Sequence, residues 1–380
     1  MSLTESILKF NRDRFADMLT RATERQVRDA INNEKISYRD LLVLLSDKAR
    51  EALPQLAGRA RELTIRRHGK IINFYVPVYL SNECVNNCLY CGFNSSRSID
   101  RTTLDVREIK IEFRSIKKIG FDNVLLLTGE FPKTAGVEYI RQAVGLAKKY
   151  FTFVGLEIYP LSVKDYSLLV GEGADGLTVY QETYDYDTYT KMHGAGPKKD
   201  YRFRLETPER AAAAGFRKIG LGALLGLSDW KIETAMLALH LEYLQKKYWK
   251  TEFSLGFPRL IPPAADFATP HPATDRDLIH MMCALRLFSP EAGFLLSTRE
   301  KPSLRDNLID LCVTQISAGS KTSPGGYGAR DSGEQFHVFD SRSLAEMVKV
   351  VKQKGYDPVI KDWDKNFCGT SRGAERESHG

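Results

Sequence analysis

The hydrophobic rhythm of the chain changes once, near residue 70. Before that point apolar residues recur at helical spacing, as in Leu41, Leu42, Leu45, Ala49 and Leu53, with charges filling the gaps. Ser37 followed by Asp40 predicts a helix N-cap with an acidic first turn. This stretch reads as a helical cap packed outside whatever follows. Residues 71–80 are β-branched and aromatic and predict a first strand. Strands and helices then alternate. Further strands are predicted at 124–128, 151–159, 176–181, 218–224, 252–260, 293–298 and 312–318, and helices at 136–150, 164–171, 205–215, 230–248, 275–287 and 302–311. Eight strands with helical crossovers argue for an α/β fold, a (β/α)8 barrel with an N-terminal helical extension. Residues 341–355 predict a closing helix with Ser341 as N-cap and Gly355 as stop, and 356–363 a last extended segment. From Asn366 on, Ser, Gly, Arg and Glu dominate, which predicts disorder. The expected division is a helical cap over 1–70, a barrel over 71–340 and a C-terminal helix and tail over 341–380.

Composition adds limits rather than a function. The 380 residues, 43% hydrophobic and 27% charged, suffice for a large core. Lys and Arg are spread along the chain, so its net charge of +7 does not indicate a nucleic-acid footprint. No apolar run approaches the ~20 residues that span a membrane, and the first 14 residues lack the apolar segment of a signal peptide. The expectation is a cytoplasmic, reducing location.

The candidate chemistry follows the first strand directly. Cys84, Cys88 and Cys91, three of six cysteines, are spaced C-x3-C-x2-C in one loop. Three such thiolates can ligate three irons of a [4Fe–4S] cube and leave the fourth iron open. Electron-transfer clusters normally use four cysteines. An open iron is a place for another ligand, such as the amino and carboxylate groups of S-adenosylmethionine. A structural zinc site would need a fourth Cys or His, and the nearest histidine, His68, precedes the strand. Disulfides do not suit a long chain with few cysteines and no secretory signal. Cys283 and Cys312 read as core residues, and Cys368 stands alone in the tail.

With Tyr90 just before the third cysteine, this loop resembles that of the radical S-adenosylmethionine (SAM) enzymes. From about residue 74 to 363 the chain is similar to the tyrosine lyases of thiamine thiazole biosynthesis, the 2-iminoacetate synthase (ThiH) family. The similarity rests on Tyr180-Gln181-Glu182-Thr183-Tyr184, Lys191-Met192-His193, Arg204-Leu205 with Pro208-Glu209-Arg210-Ala211, and Gly220-Leu221-Gly222-Ala223-Leu224-Leu225-Gly226-Leu227. Ser297-Thr298-Arg299-Glu300, Ser317-Ala318-Gly319-Ser320, Pro324-Gly325-Gly326-Tyr327 and Lys361-Asp362-Trp363-Asp364 extend it. A sister family makes carbon monoxide and cyanide from tyrosine for hydrogenase maturation and carries a cysteine-bearing C-terminal extension. The single Cys368 after Trp363 favours the thiamine family. A hydrogenase-maturation tyrosine lyase or a tryptophan lyase remains the alternative.

The resemblance implies cleavage of the Cα–Cβ bond of L-tyrosine to 2-iminoacetate and p-cresol, with a [4Fe–4S] cluster and SAM as cofactors. It implies hand-over of the imine to a thiazole synthase and a reducing partner such as flavodoxin or ferredoxin. Chemistry in a (β/α)8 barrel sits where the strands end. Thr128-Gly129-Glu130 resembles the element that binds the methionyl amino group, and Glu182 the acidic ribose-binding residue. Arg204, rather than Arg202, resembles the residue that clamps the methionyl carboxylate bidentately. Glu157, a carboxylate inside an apolar strand, is expected either to meet a cationic part of the ligand or to sit in a buried salt bridge. Arg299 is expected to hold the tyrosine carboxylate with help from Ser317. Tyr75, Tyr79 and His193 are candidates for the phenol, and His193 and His271 weak candidates for acid–base work. The glycines of 220–226 suit tight barrel packing or an adenine lying on the backbone, and the Ser/Gly loop of 317–327 suits either a cover over a small polar substrate or an ordinary surface loop.

Overall fold

The structure is a computed structural model that describes residues 3–261, 267–328 and 333–361. Its centre is a closed barrel of parallel strands: β1 (Ile71–Ser81), β2 (Asn123–Thr128), β3 (Phe153–Glu157), β4 (Gly176–Thr178), β5 (Lys218–Gly222), β6 (Glu252–Gly256), β7 (Gly293–Leu296) and β8 (Gln315–Ser317). Each strand pairs with the next, and β1 closes the ring by pairing with both β8 and β2. The strands read as apolar runs because both faces are covered. Val124, Leu126, Val154, Leu156, Ile219, Leu221 and Leu255 are buried against the helices outside.

The ends of the elements show where local pattern gives way to packing. The third and fourth strands are shorter than their apolar runs, ending at Glu157 and Thr178, because the residues beyond turn into the barrel mouth. The helix expected over 205–215 breaks at Glu206 into Tyr201–Leu205 and Thr207–Ala213, with Pro208 in the first turn of the second. Two helices escaped the sequence reading, Val106–Ile119 and Tyr186–Met192, each capped by an aspartate, Asp105 and Asp185. The closing helix runs over Leu344–Gln353, and its N-cap is Ser343, not Ser341. Ser343 bonds the Glu346 amide while Glu346 reaches back, a capping box that Ser341 cannot form. Gly355 follows at φ +75°, a backbone suited to glycine. The last extended segment is β9 (Asp357–Val359), which pairs with the start of β1. Trp363, Cys368 and the tail predicted to be disordered lie outside the described residues.

The N-terminal helices, from Leu3–Leu8 to Leu53–His68, pack on the outside of the barrel. They are tied there at 2.9 Å from Thr4 Oγ1 to Glu206, 3.2 Å from Tyr38 to the Ala235 carbonyl, and 2.6 Å between His280 Nε2 and the Leu44 carbonyl. Ser37 caps its helix with Asp40 as read from sequence. Cys283 and Cys312 are fully buried in the core.

Candidate functional site

The pairing of β1 with β2 slips between Tyr79 and Ser81. This irregularity turns the chain out of the barrel and starts the cysteine loop. Local bonds then fix the loop. The Gly129 amide donates to the Ser81 carbonyl at 3.0 Å and the Val85 amide to the Glu130 carbonyl at 2.9 Å. Asn86 Nδ2 donates to Glu130 Oε2 at 2.6 Å. Arg101 donates to the carbonyls of Asn82, Phe93, Asn94 and Arg97, which gathers both ends of the loop. A Cβ at position 129 would lie 2.2 Å from the Glu83 carbonyl oxygen, so only glycine allows this approach.

Cys84, Cys88 and Cys91 line one cavity at the barrel mouth. Burial pushes the Cys88 thiol up to about 12 against the pull of Lys198, and raises Cys91 also. Metal binding must therefore displace thiol protons. Among the described residues no three His, Cys, Asp or Glu side chains converge on a single point as a mononuclear zinc site requires. Thiolates that each bind a different corner of a cube stand farther apart than that. The donor set and its spread along one loop fit the cluster.

The same cavity brings together the other expected cofactor residues, Thr128, Gly129, Glu130, Glu157, Glu182 and Arg204. Thr128 Oγ1 is buried there without a hydrogen-bond partner, a donor and acceptor that awaits a ligand. Glu182 is the one non-glycine residue with positive φ among those described, at +71°. Its Oε1 accepts from Lys198 Nζ at 2.8 Å and from Arg204 Nη2 at 3.1 Å. Burial favours the neutral acid, but the two cations prevail and hold Glu182 at about 2. Arg204 Nε donates to the Tyr180 carbonyl at 2.8 Å. With Nε and one Nη2 hydrogen committed, both Nη1 hydrogens and the second Nη2 hydrogen are left for a ligand carboxylate. Arg202 is exposed.

Tyr90 packs beside Cys88 and lines the adjoining cavity, its hydroxyl 2.8 Å from His193 Nε2, while His193 Nδ1 meets the Tyr189 carbonyl at 2.7 Å. Burial and then Lys198 bring His193 down to about 3, so it is neutral. It supports the cysteine loop and lines neither cavity of the mouth, which removes it as a contact for the phenol or an acid–base group. His271 is exposed.

A second cavity adjoins the first and shares Tyr79, Cys91, Leu127, Glu157, Tyr180, Glu182, Lys198 and Gln335 with it. Arg299 stands in its wall with its guanidinium 3.4 Å from the Phe336 ring centroid. No carboxylate among the described residues pairs with it, and burial lowers its pKa. Ser317 and Tyr75 stand beside it, and Ser320 Oγ is buried without a partner. Glu157 also faces this space without a hydrogen bond or ion pair, so the salt bridge considered for it is not formed. Burial and then Glu182 push it up to about 7, against the pull of Arg299, Arg204 and Lys198. The glycines of β5 serve barrel packing: a Cβ at Gly222 would lie 2.6 Å from the Tyr180 ring.

Lys198 and Gln335 were not legible in the sequence. Lys198 is the first of two adjacent lysines in a short 3-10 helix, Pro197–Lys199, and it also lies 5.5 Å over the Tyr90 ring. Gln335 accepts from Tyr79 at 2.7 Å and donates toward Cys91 Sγ at 3.9 Å. The segment carrying it passes so close that a Cβ at Gly92 would lie 2.3 Å from the Gln335 carbonyl oxygen.

Comparison with known proteins gives a consistent picture. Residues 78–239 match the radical SAM superfamily model, and residues 257–357 the biotin and thiamin synthesis associated domain. The chain is 43% identical over 344 residues to 2-iminoacetate synthase of Escherichia coli K12, covering 90% of this chain and 91% of that protein. The crystal structure of HydG, a maturase of the [FeFe]-hydrogenase, superposes with a TM-score of 0.87 at 31% identity, over 92% of this chain and 80% of that one. Methylornithine synthase (PylB) shares the fold, with a TM-score of 0.70 at 21% identity over 88% of this chain and 97% of that one.

Proposed function

The chain belongs to the 2-iminoacetate synthase family of the radical SAM superfamily, and we propose from its site how it cleaves the Cα–Cβ bond of L-tyrosine. The products are 2-iminoacetate and p-cresol, with methionine and 5′-deoxyadenosine from the co-substrate. A reduced [4Fe–4S] cluster with bound SAM supplies the 5′-deoxyadenosyl radical, and the protein supplies binding, orientation and exclusion of water.

In this reading Cys84, Cys88 and Cys91 hold three irons of the cluster. Thr128, Gly129 and Glu130 take the methionyl ammonium, Arg204 reaches the carboxylate with its free Nη1 and Nη2 hydrogens, and Glu182 accepts from the ribose hydroxyls through Oε2. Tyr90 stands where the adjoining cavity meets the cysteine loop. Arg299 binds the tyrosine carboxylate and Ser317 assists. Glu157 faces the cationic side of the bound molecules. Tyr75 and Tyr79, both on β1 and both in the wall of the substrate cavity, are the candidates for the phenol. The observation that carries the reading is the pair of unpaired, opposite charges in one cavity, Arg299 and Glu157, beside Cys91. A zwitterionic amino acid next to a cluster satisfies both.

The imine product hydrolyses readily, which favours direct transfer to a thiazole synthase. A flavodoxin or ferredoxin fits as the electron donor. None of the described helices is long and apolar enough to cross a membrane, and a cytoplasmic site suits an oxygen-sensitive cluster. The helical cap, barrel and C-terminal segment divide near residues 70 and 340.

Anaerobic reconstitution with iron and sulfide, followed by incubation with a reductant, SAM and tyrosine, tests the proposal. Equimolar p-cresol and 5′-deoxyadenosine are expected, and a Cys88→Ala variant should form neither. Cyanide among the products would assign the chain to the hydrogenase branch. Turnover of tryptophan in preference to tyrosine would assign it to the tryptophan lyases.

A further inference from the structure

Glu233 lies in the helix Trp230–Lys247, outside the barrel wall, and is fully buried. One of its oxygens accepts from Thr183 Oγ1, and the other accepts from the Tyr184 amide at 2.9 Å. Thr183 Oγ1 in turn accepts from the Asp185 amide at 3.1 Å, which directs its own proton to Glu233. These contacts grip the two residues that follow Glu182, the residue at φ +71°. Such a conformation costs of order 1 kcal/mol or more for a side chain with Cβ, and it persists only where neighbours enforce it.

The rest of the turn is held as firmly. The Leu224 amide donates to the Glu182 carbonyl at 2.7 Å, and Tyr201 donates to the Tyr184 carbonyl at 2.8 Å. The Tyr184 hydroxyl meets His240 Nδ1 at 2.9 Å, about two turns along the same helix from Glu233. A buried carboxylate with no cationic partner is a costly way to join a helix to a loop. It offers two strong acceptors aimed at two adjacent donors, which a hydrophobic contact does not.

We propose that Glu233 is a positioning residue for SAM binding: it locks the Thr183–Tyr184 turn and so keeps Glu182 in the left-handed conformation that aims its carboxylate into the cofactor cavity. The inference rests on the reading of Glu182 as the ribose-binding residue. Glu233 touches no ligand itself. Without it Glu182 relaxes to negative φ, and the geometry shared with Lys198 and Arg204 is lost.

The test uses reconstituted holoenzyme and equilibrium dialysis of SAM. Glu233→Gln replaces one acceptor by an amide donor that opposes a donor of the turn, so SAM affinity is expected to fall at least tenfold. The SAM-induced change in the EPR spectrum of the reduced cluster should weaken in parallel. Thr183→Val is expected to lose affinity in the same way, and Thr183→Ser, which keeps the hydroxyl, to restore it. This pair decides the matter where Glu233→Gln fails to fold. Leu41→Ala, a core change in the distant N-terminal helices, serves as a control with comparable loss of melting temperature and unchanged affinity. SAM affinity at the wild-type level in both Glu233→Gln and Thr183→Val, with only melting temperature reduced, would overturn the positioning role. Absence of SAM binding by the wild-type holoenzyme would instead overturn the family reading on which the inference rests.

Discussion

Lys198 Nζ lies 2.8 Å from Glu182 Oε1 inside the barrel mouth, 16 residues along the chain from its partner. Both side chains are mostly buried, at 14% and 12% exposure. The pair holds one carboxylate oxygen and leaves the other for a ligand. Removing one member of a buried pair typically costs about 3 kcal/mol. Lys198→Met should therefore lower stability by about that much, and equilibrium unfolding measures it. Glu182 sits at about 2, so the stability it contributes is present above its unfolded pKa of 4.5 and is lost as pH falls from there through about 2. In the variant that loss should move to higher pH, together with the acid limb of SAM binding.

Arg299 has no carboxylate partner among the described residues and stacks on Phe336. A charge-assisted pair with a substrate carboxylate is worth about 1.5–3 kcal/mol, or ten- to more than a hundredfold in binding. Arg299→Ala should raise the KM for tyrosine by that range and leave SAM affinity close to wild type. Arg299→Lys should recover only part of the loss, because a point charge does not replace the planar fork. A KM that stays at the wild-type value in Arg299→Ala would place the carboxylate elsewhere.

Glu157 carries a pH dependence. Burial and Glu182 push it up to about 7, so near neutral pH it is partly protonated. A carboxyl whose folded pKa is raised contributes stability below its unfolded pKa and loses it as pH rises through the folded value. Between about 4.5 and 7 the ligand-free enzyme should thus lose stability relative to Glu157→Gln. Ligand binding should run the other way, since only the ionised form attracts a cation. Binding of the cationic ligand should gain strength as pH rises through about 7, and Glu157→Gln should remove that inflection from the binding profile.

The Ser/Gly loop after β8 is anchored by a pair with no exposure at all, Arg305 and Asp340. Arg305 also donates to the Ser317 carbonyl, so the pair fixes the strand end that presents the Ser317 hydroxyl. Asp340→Ala leaves a guanidinium buried without its counter-charge and should cost about 3–5 kcal/mol. Thermal unfolding checks this, and a loss below 1 kcal/mol would mean that Arg305 finds another acceptor.

Much of this molecule is written locally. Cys84, Cys88 and Cys91 lie within one loop, so their spacing alone expresses their chemistry. The apolar runs of the strands and the caps at Ser37 and Gly355 depend on neighbours a few residues away, and they predict eight strands and the helical layer before them. What failed at the sequence level also has local causes. The helix Val106–Ile119 carries its own local signal, a capping box from Asp105 to Glu108 and Ile109, Phe113 and Ile116 at helical spacing, whereas the seven-residue Tyr186–Met192 buries only Tyr189, and two serines, 341 and 343, compete for one cap. Closure of the barrel decided the rest. Gln335 reaches Tyr79 across 256 residues, and Glu233 reaches Thr183 across 50. Lys198 becomes a partner of Glu182 only because the turn after β4 folds back over the mouth. Such pairings depend on where distant segments meet in space, and hydrophobic periodicity along the chain carries no record of that.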